Sequence, residues 1–181
     1  MWELIFLVLY NIPRVLLLKL RYGKRVSIHW MQRLSPRCAL KLYGQGKLAL
    51  GEHCQFPSGC DLTVLRQGNL TIGNRVIMNK YVLVSCLGTI SIGNNCLIGP
   101  GVKIFDNNHR FCKDSGASQE LSIGMIKIGN NCWIASNAVI LKGADIGDNC
   151  VIGAGCIING KIPSGSLVRP KMDNIIEPIH K

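Results

Sequence analysis

The amino-acid sequence predicts an all-β solenoid of short stacked strands, and three observations carry that prediction. Isoleucine recurs at every sixth residue from Ile128 through Ile134, Ile140, Ile146 and Ile152 to Ile158. The same spacing returns upstream in three blocks: Ile92, Ile98, Ile104; Ile72, Met78, Val84; and Leu50, Phe56, Leu62. Finally, 48% of the 181 residues are apolar but only 6% aromatic, and Gly numbers 20, so the interior must be built from aliphatics. A period of six matches neither a helix nor a plain exposed strand. It fits one short strand and one tight turn per hexad. Such a unit does not bury its own apolar face, so neighbours must stack to make a core.

Residues 1–47 read as an apolar and basic helical segment with a lead-in. Met1 to Tyr22 is strongly apolar but cut by Glu3, Asn11, Pro13, Arg14 and Lys19. Its longest uninterrupted apolar run, Leu4 to Tyr10, is too short to span a bilayer. Two short helices are expected, with Pro13 opening the second. Between Leu4 and Gly51 stand nine Lys or Arg and no acid, which holds nearly all of the formal +11 charge. An anionic membrane surface or a polyanion would be drawn to that end. The segment therefore either packs within an oligomer or lies in the membrane plane.

Residues 48–163 hold the repeat. Gly follows the anchor at several hexads, and the pairs Gly73-Asn74, Gly93-Asn94, Gly129-Asn130 and Gly147-Asp148 are expected to supply the turns. Four places after the anchor come small residues, among them Cys54, Cys60, Cys96, Cys132, Cys150 and Cys156. One shared phase marks these as inward space fillers. Nine cysteines, an odd number without any C-x-x-C spacing or secretory signal, argue against a disulfide scaffold or zinc finger. A reducing cytoplasm is the expected location. Breaks at Leu65–Leu70 and Ser85–Ser91 read as turn expansions. The long break, 105–127, is a loop insertion, and such loops often carry function. Residues 164–181 have no period and read as a cap or tail.

The run IGNNCWIASNAVILKGADIGDNCVIGAGC over 128–156 resembles, nearly residue for residue, the C-terminal signature of the hexapeptide-repeat acyltransferases. Within that family the chain is most similar to the galactoside, maltose and polysaccharide O-acetyltransferases. The resemblance implies a left-handed parallel β-helix with three hexads per coil, a homotrimer, and acetyl-CoA as acetyl donor with no metal required. It further implies transfer to a hydroxyl of a saccharide, in surface polysaccharide assembly.

The resemblance places the catalytic histidine in the extended loop, where His109 is the only histidine. An alcohol must lose its proton as it attacks a thioester carbonyl, and a neutral imidazole suits that role near neutral pH. Asp106 either orients the imidazole or is a solvated turn residue. Asn79, in place of the usual Gly after Met78, stands where the family holds its acceptor sugar, and Asn108 beside His109 is the second acceptor-side candidate. Trp133, Ser136 and Ala154 align with the donor site. Lys142, Lys161, Arg169 and Lys171 are the candidates for the CoA phosphates. The chain reads Ser166-Leu-Val-Arg-Pro-Lys171 where the family often carries a Gly-Asn-Pro-Ala-Lys-like turn, a departure at that phosphate site.

Three other readings remain open at this level. The acceptor could be an amine on a nucleotide sugar, or serine. A metal-dependent hydratase shares the fold but needs a histidine trio, which His53 and His109 do not supply within the coils. A non-catalytic binding solenoid would not need the His109 insertion. No nucleic-acid partner is expected.

Overall fold

In the computed structural model of the protein, residues 2–114 and 116–171 are described, with side chains from Leu9 onward. The strands form three parallel sheets, one per side of a triangular prism. The first face has seven strands, from Val26–Ile28 and Lys47–Leu50 through Thr89–Ile92 and Met125–Ile128 to Lys161–Ile162. The second also has seven, from Arg33–Leu34 through Ile77–Met78, Leu97–Ile98 and Trp133–Ile134 to Leu167–Val168. The third has six, including Leu83–Cys86, Lys103–Phe105, Val139–Leu141 and Ile157–Ile158. The chain visits the faces in rotation, so each strand pairs with its equivalent one coil away. This is the left-handed parallel β-helix expected.

All fifteen hexad anchors point into the prism and are buried. So are the six cysteines of the shared phase, together with Cys38 and Cys86, and Cys112 is exposed. The thiols of Cys96, Cys132 and Cys150 each donate at 3.1 Å to a carbonyl of the next coil, that of Gly129, Gly147 and Pro163 respectively. A small polar side chain is thereby satisfied inside an otherwise aliphatic core.

The turn chemistry differs from expectation in one respect. The residue in the left-handed conformation is the second after the glycine: Asn95, Asn131 and Asn149 have φ of 57°, 56° and 58°. The glycine answers to close stacking instead. A Cβ on Gly93 would lie 2.6 Å from the backbone of Gly129 in the next coil.

The β-helix also begins earlier than Leu48. Val26–Ile28, Arg33–Leu34 and Ala39–Leu42 form a first coil in register with the second. At its far end Leu167–Val168 still pairs with Val151–Ile152, so the coils run beyond residue 163. The rest of the expected cap or tail, 172–181, lies outside the described residues.

The N-terminal segment is one helix, Trp2–Tyr22, with Pro13 inside it, not two. Contacts on both sides of Pro13 hold it together. Asn11 Nδ2 donates to the Leu34 carbonyl at 2.9 Å, and Arg14 donates to the carbonyls of Ser35 and Cys38. Val15 is buried on the same face, while Pro13 faces outward. Arg25 caps a further first-coil carbonyl, that of Gly44. Among the described residues no helix is long and apolar enough to cross a membrane.

Candidate active site

The insertion leaves the prism at the corner between the third and first faces. It is an antiparallel hairpin, Asn107–Cys112 against Gly116–Ile123, and not an open loop. Its base is clamped to the coil beneath. The Asp106 carboxylate is fully buried and accepts the Leu87 N–H at 2.9 Å and the Gly88 N–H at 2.8 Å. Its backbone carbonyl accepts the Gly124 N–H at 2.8 Å. Only glycine fits at position 88, where a Cβ would lie 2.4 Å from the Gly124 carbonyl oxygen.

Asp106 therefore neither orients the imidazole nor sits in solvent. Its oxygens are committed to backbone amides and to Asn107 Nδ2. The group that orients His109 is one the sequence did not reveal, the backbone carbonyl of Ser118, 2.9 Å from His109 Nδ1. A carbonyl only accepts, so Nδ1 carries the proton and Nε2 keeps its lone pair. No residue pattern marks a main-chain acceptor, which is why sequence reasoning looked to the nearest acid instead.

His109 is exposed and opens on a cleft of about 340 Å³, lined also by Asn108, Arg110, Phe111, Ser122 and Lys142. The strand pairing shifts between His109 and Phe111. Lys142 reaches this cleft from the next coil and donates to Ser122 Oγ. It thus stands with His109, while Arg169 and Lys171 follow the last second-face strand. Arg110 pairs loosely with Glu120 at 3.9 Å.

The remaining candidates lie elsewhere on the prism. Trp133 is 51% exposed on the outer side of the second face, between Leu97 and Val151 of the neighbouring coils. Asn79, Ser136 and Ala154 follow second-face strands, at the corner leading to the third face. Lys161 points outward from the first face, and Arg169 and Lys171 line a shallow cleft with Leu167 and Pro170. Within one chain, His109 with Asn108 and Lys142 occupies one corner, and Asn79, Ser136 and Ala154 occupy another. His29 pairs with Glu52 at 3.7 Å on the first coils, and His53 is a turn residue with φ of 55°. Among the described residues no three His, Cys, Asp or Glu side chains cluster as a metal site would need. His180 lies outside the described residues.

Comparison with known proteins agrees with the repeat. A family model described as bacterial transferase hexapeptide (six repeats) matches residues 125–160, and one described as hexapeptide repeat of succinyl-transferase matches 89–104. The chain is 39% identical over 95 residues to the galactoside O-acetyltransferase of Escherichia coli K12, covering 52% of this chain and 47% of that enzyme. It is 27% identical over 132 residues to WbbJ of the same organism, provisionally named a lipopolysaccharide biosynthesis O-acetyl transferase, covering 68% and 67%. A similar half-length match is found to an acetyltransferase-like protein of Schizosaccharomyces pombe, so the chain spans about half to two thirds of these relatives. In fold it resembles the crystal structure of a variant of AntD, an N-acyltransferase from Bacillus cereus, in complex with dTDP-4-amino-4,6-dideoxyglucose and coenzyme A. The TM-score is 0.60 at 12% identity, over 81% of this chain and 80% of that one.

Proposed function

We propose that the chain acts as a hexapeptide-repeat acyltransferase, transferring an acetyl group from acetyl-CoA to a saccharide hydroxyl with His109 as general base. The observation that carries this reading is the His109 Nδ1 contact with the Ser118 carbonyl, which leaves Nε2 with the lone pair of the neutral ring, on a side chain that lines an open cleft. Nε2 takes the hydroxyl proton as the acceptor oxygen attacks the thioester carbonyl. The new C–O bond forms, the C–S bond breaks, and the proton passes to the departing thiolate. Asn108 lies in the same cleft and is placed to bind the acceptor. The names of the two Escherichia coli relatives support an O-linked product and a role in surface polysaccharide biosynthesis.

The donor needs an apolar strip for its pantetheine arm and cations for its phosphates. Trp133 with Leu97 and Val151 supplies the first, and Lys161, Arg169 and Lys171 offer the second. Trp133, Arg169, Lys171 and Asn79 lie on or just after second-face strands, away from the His109 corner of their own chain. A complete site therefore calls for a second copy, whose second face lies against the His109 hairpin, and the homotrimer is the closed assembly that repeats this contact.

The test is steady-state turnover with acetyl-CoA and a panel of saccharides, with an amino-sugar nucleotide included. His109→Ala is expected to lower kcat by roughly 10²–10⁴ and to leave acetyl-CoA affinity unchanged. Activity within about threefold of the parent enzyme would remove His109 from the mechanism. Turnover of the amino sugar alone would move the acceptor from hydroxyl to amine.

A further inference from the structure

The N-terminal helix has two apolar faces, and the fold uses one of them. Asn11 and Val15 are buried, and Leu18 and Tyr22 pack on the same core. On the opposite side Leu9, Leu16 and Leu20 are 61%, 57% and 73% exposed. At about 100° per residue these three leucines fall within roughly 40° of one another, and about 150° from the buried set. Ile12 and Leu17 widen the stripe on either side. A contiguous apolar stripe of this kind on a surface helix marks an interaction site.

Its borders say what it meets. Lys19 lies along one edge and Arg21 along the other, both exposed, and Lys24 follows directly. No acid occurs between Leu4 and Gly51. A second copy of the chain laid on the same stripe would set these cations against their own counterparts. An anionic lipid surface neutralises them and takes up the leucines at once. The inner face, bonded through Asn11 to Leu34, keeps the helix lying flat on the end of the β-helix.

We propose that the outer face of the helix Trp2–Tyr22 docks the protein on an anionic bilayer, with the helix lying in the headgroup plane. The leucines enter the acyl boundary and the lysines and arginine meet lipid phosphates. The β-helix then stands with its first coil toward the membrane. This inference does not depend on the role of His109.

The test uses the full chain in flotation with vesicles of phosphatidylcholine alone or carrying phosphatidylglycerol. The expected result is partition into the anionic vesicles, weakening as salt is raised. Leu16→Asp with Leu20→Asp should lower that partition by about tenfold or more per leucine. Lys19→Gln with Lys24→Gln should lower it about fivefold per charge. All four positions are exposed, so each variant should keep the parent's thermal midpoint and its turnover of a soluble acceptor. Equal partition into both vesicle types, no partition into either, or undiminished partition of the aspartate variant would each overturn the proposal. So would a fall in oligomer mass on sedimentation of the aspartate variant without any vesicle binding, which would make the stripe a contact between copies.

Discussion

At the scale of single residues, Asp106 shows how one buried side chain can fix the base of the hairpin that carries His109. It takes two backbone N–H groups, of Leu87 and Gly88, in a fully buried position. An amide offers one acceptor oxygen where the carboxylate offers two. Asp106→Asn therefore leaves one buried N–H facing an NH2 group, a loss of about 1–3 kcal/mol. The thermal midpoint should fall by roughly 2–4 °C for each kcal/mol, and kcat should fall with it because the hairpin base is no longer fixed. A variant with an unchanged midpoint would refute the clamp. The buried thiols make a second prediction. Burial, aided by the Asp106 charge, pushes Cys86 up to about 12, and burial with the neighbouring Cys60 pushes Cys38 up to about 12. Both are thus neutral in the folded chain where the unfolded thiol ionises from about pH 9. Their contribution is fully present below that pH and is lost as pH rises toward the folded value, by about 1.4 kcal/mol per unit for each thiol. Urea midpoints measured from pH 7 to 10.5 should decline above pH 9, and Cys86→Val should flatten the decline. The inward place of these cysteines was legible because phase in the hexad decides burial. The roles of Asp106 and Ser118 were not, because one is a carboxylate aimed at main-chain amides and the other a main-chain carbonyl.

At the scale of elements, the repeat was readable wherever burial imposes a period, and unreadable where it does not. The hairpin strands Asn107–Cys112 and Gly116–Ile123 are mostly exposed on both sides, so no alternation of apolar residues records them. The first coil was missed for another reason. Its corner is filled by Gln32 in place of a glycine turn: Nε2 donates to the carbonyls of His29 and Gly51, and Oε1 accepts the Cys54 N–H. Pro13 suggested a break because local preference disfavours it inside a helix. Tertiary contacts from Asn11, Arg14 and Val15 overrule that preference. The hairpin should be separable from its scaffold, since Lys103–Phe105 pairs directly with Val139–Leu141 on the far side of it. Replacing 107–123 with a short glycine-containing turn should keep the midpoint within a few degrees, or about 1–2 kcal/mol, while turnover disappears. Loss of cooperative unfolding in that variant would mean that the hairpin is part of the core.

At the scale of the whole molecule, the proposed site is divided between corners, and this can be tested without a crystal. Sedimentation should give three times the 19.9 kDa chain mass. Mixed refolding is the sharper measurement. A His109→Ala chain and a Trp133→Ala chain, each inactive alone, should regain activity when refolded together, because some contacts then join an intact hairpin to an intact second face. Two inactive parents that stay inactive when mixed would place the whole site within one chain. The seal on the first coil bears on a different matter. A solenoid of parallel strands ends in bare main-chain edges, and such edges invite further chains to add on. Here Asn11, Arg14 and Arg25 already occupy carbonyls of Leu34, Ser35, Cys38 and Gly44, and the helix lies across that end. Head-to-tail growth into a fibre needs a receptive surface at both extremities of every unit. With one extremity closed by its own N-terminal helix, the protein can stack its coils within a chain and still be barred from polymerising along the same axis.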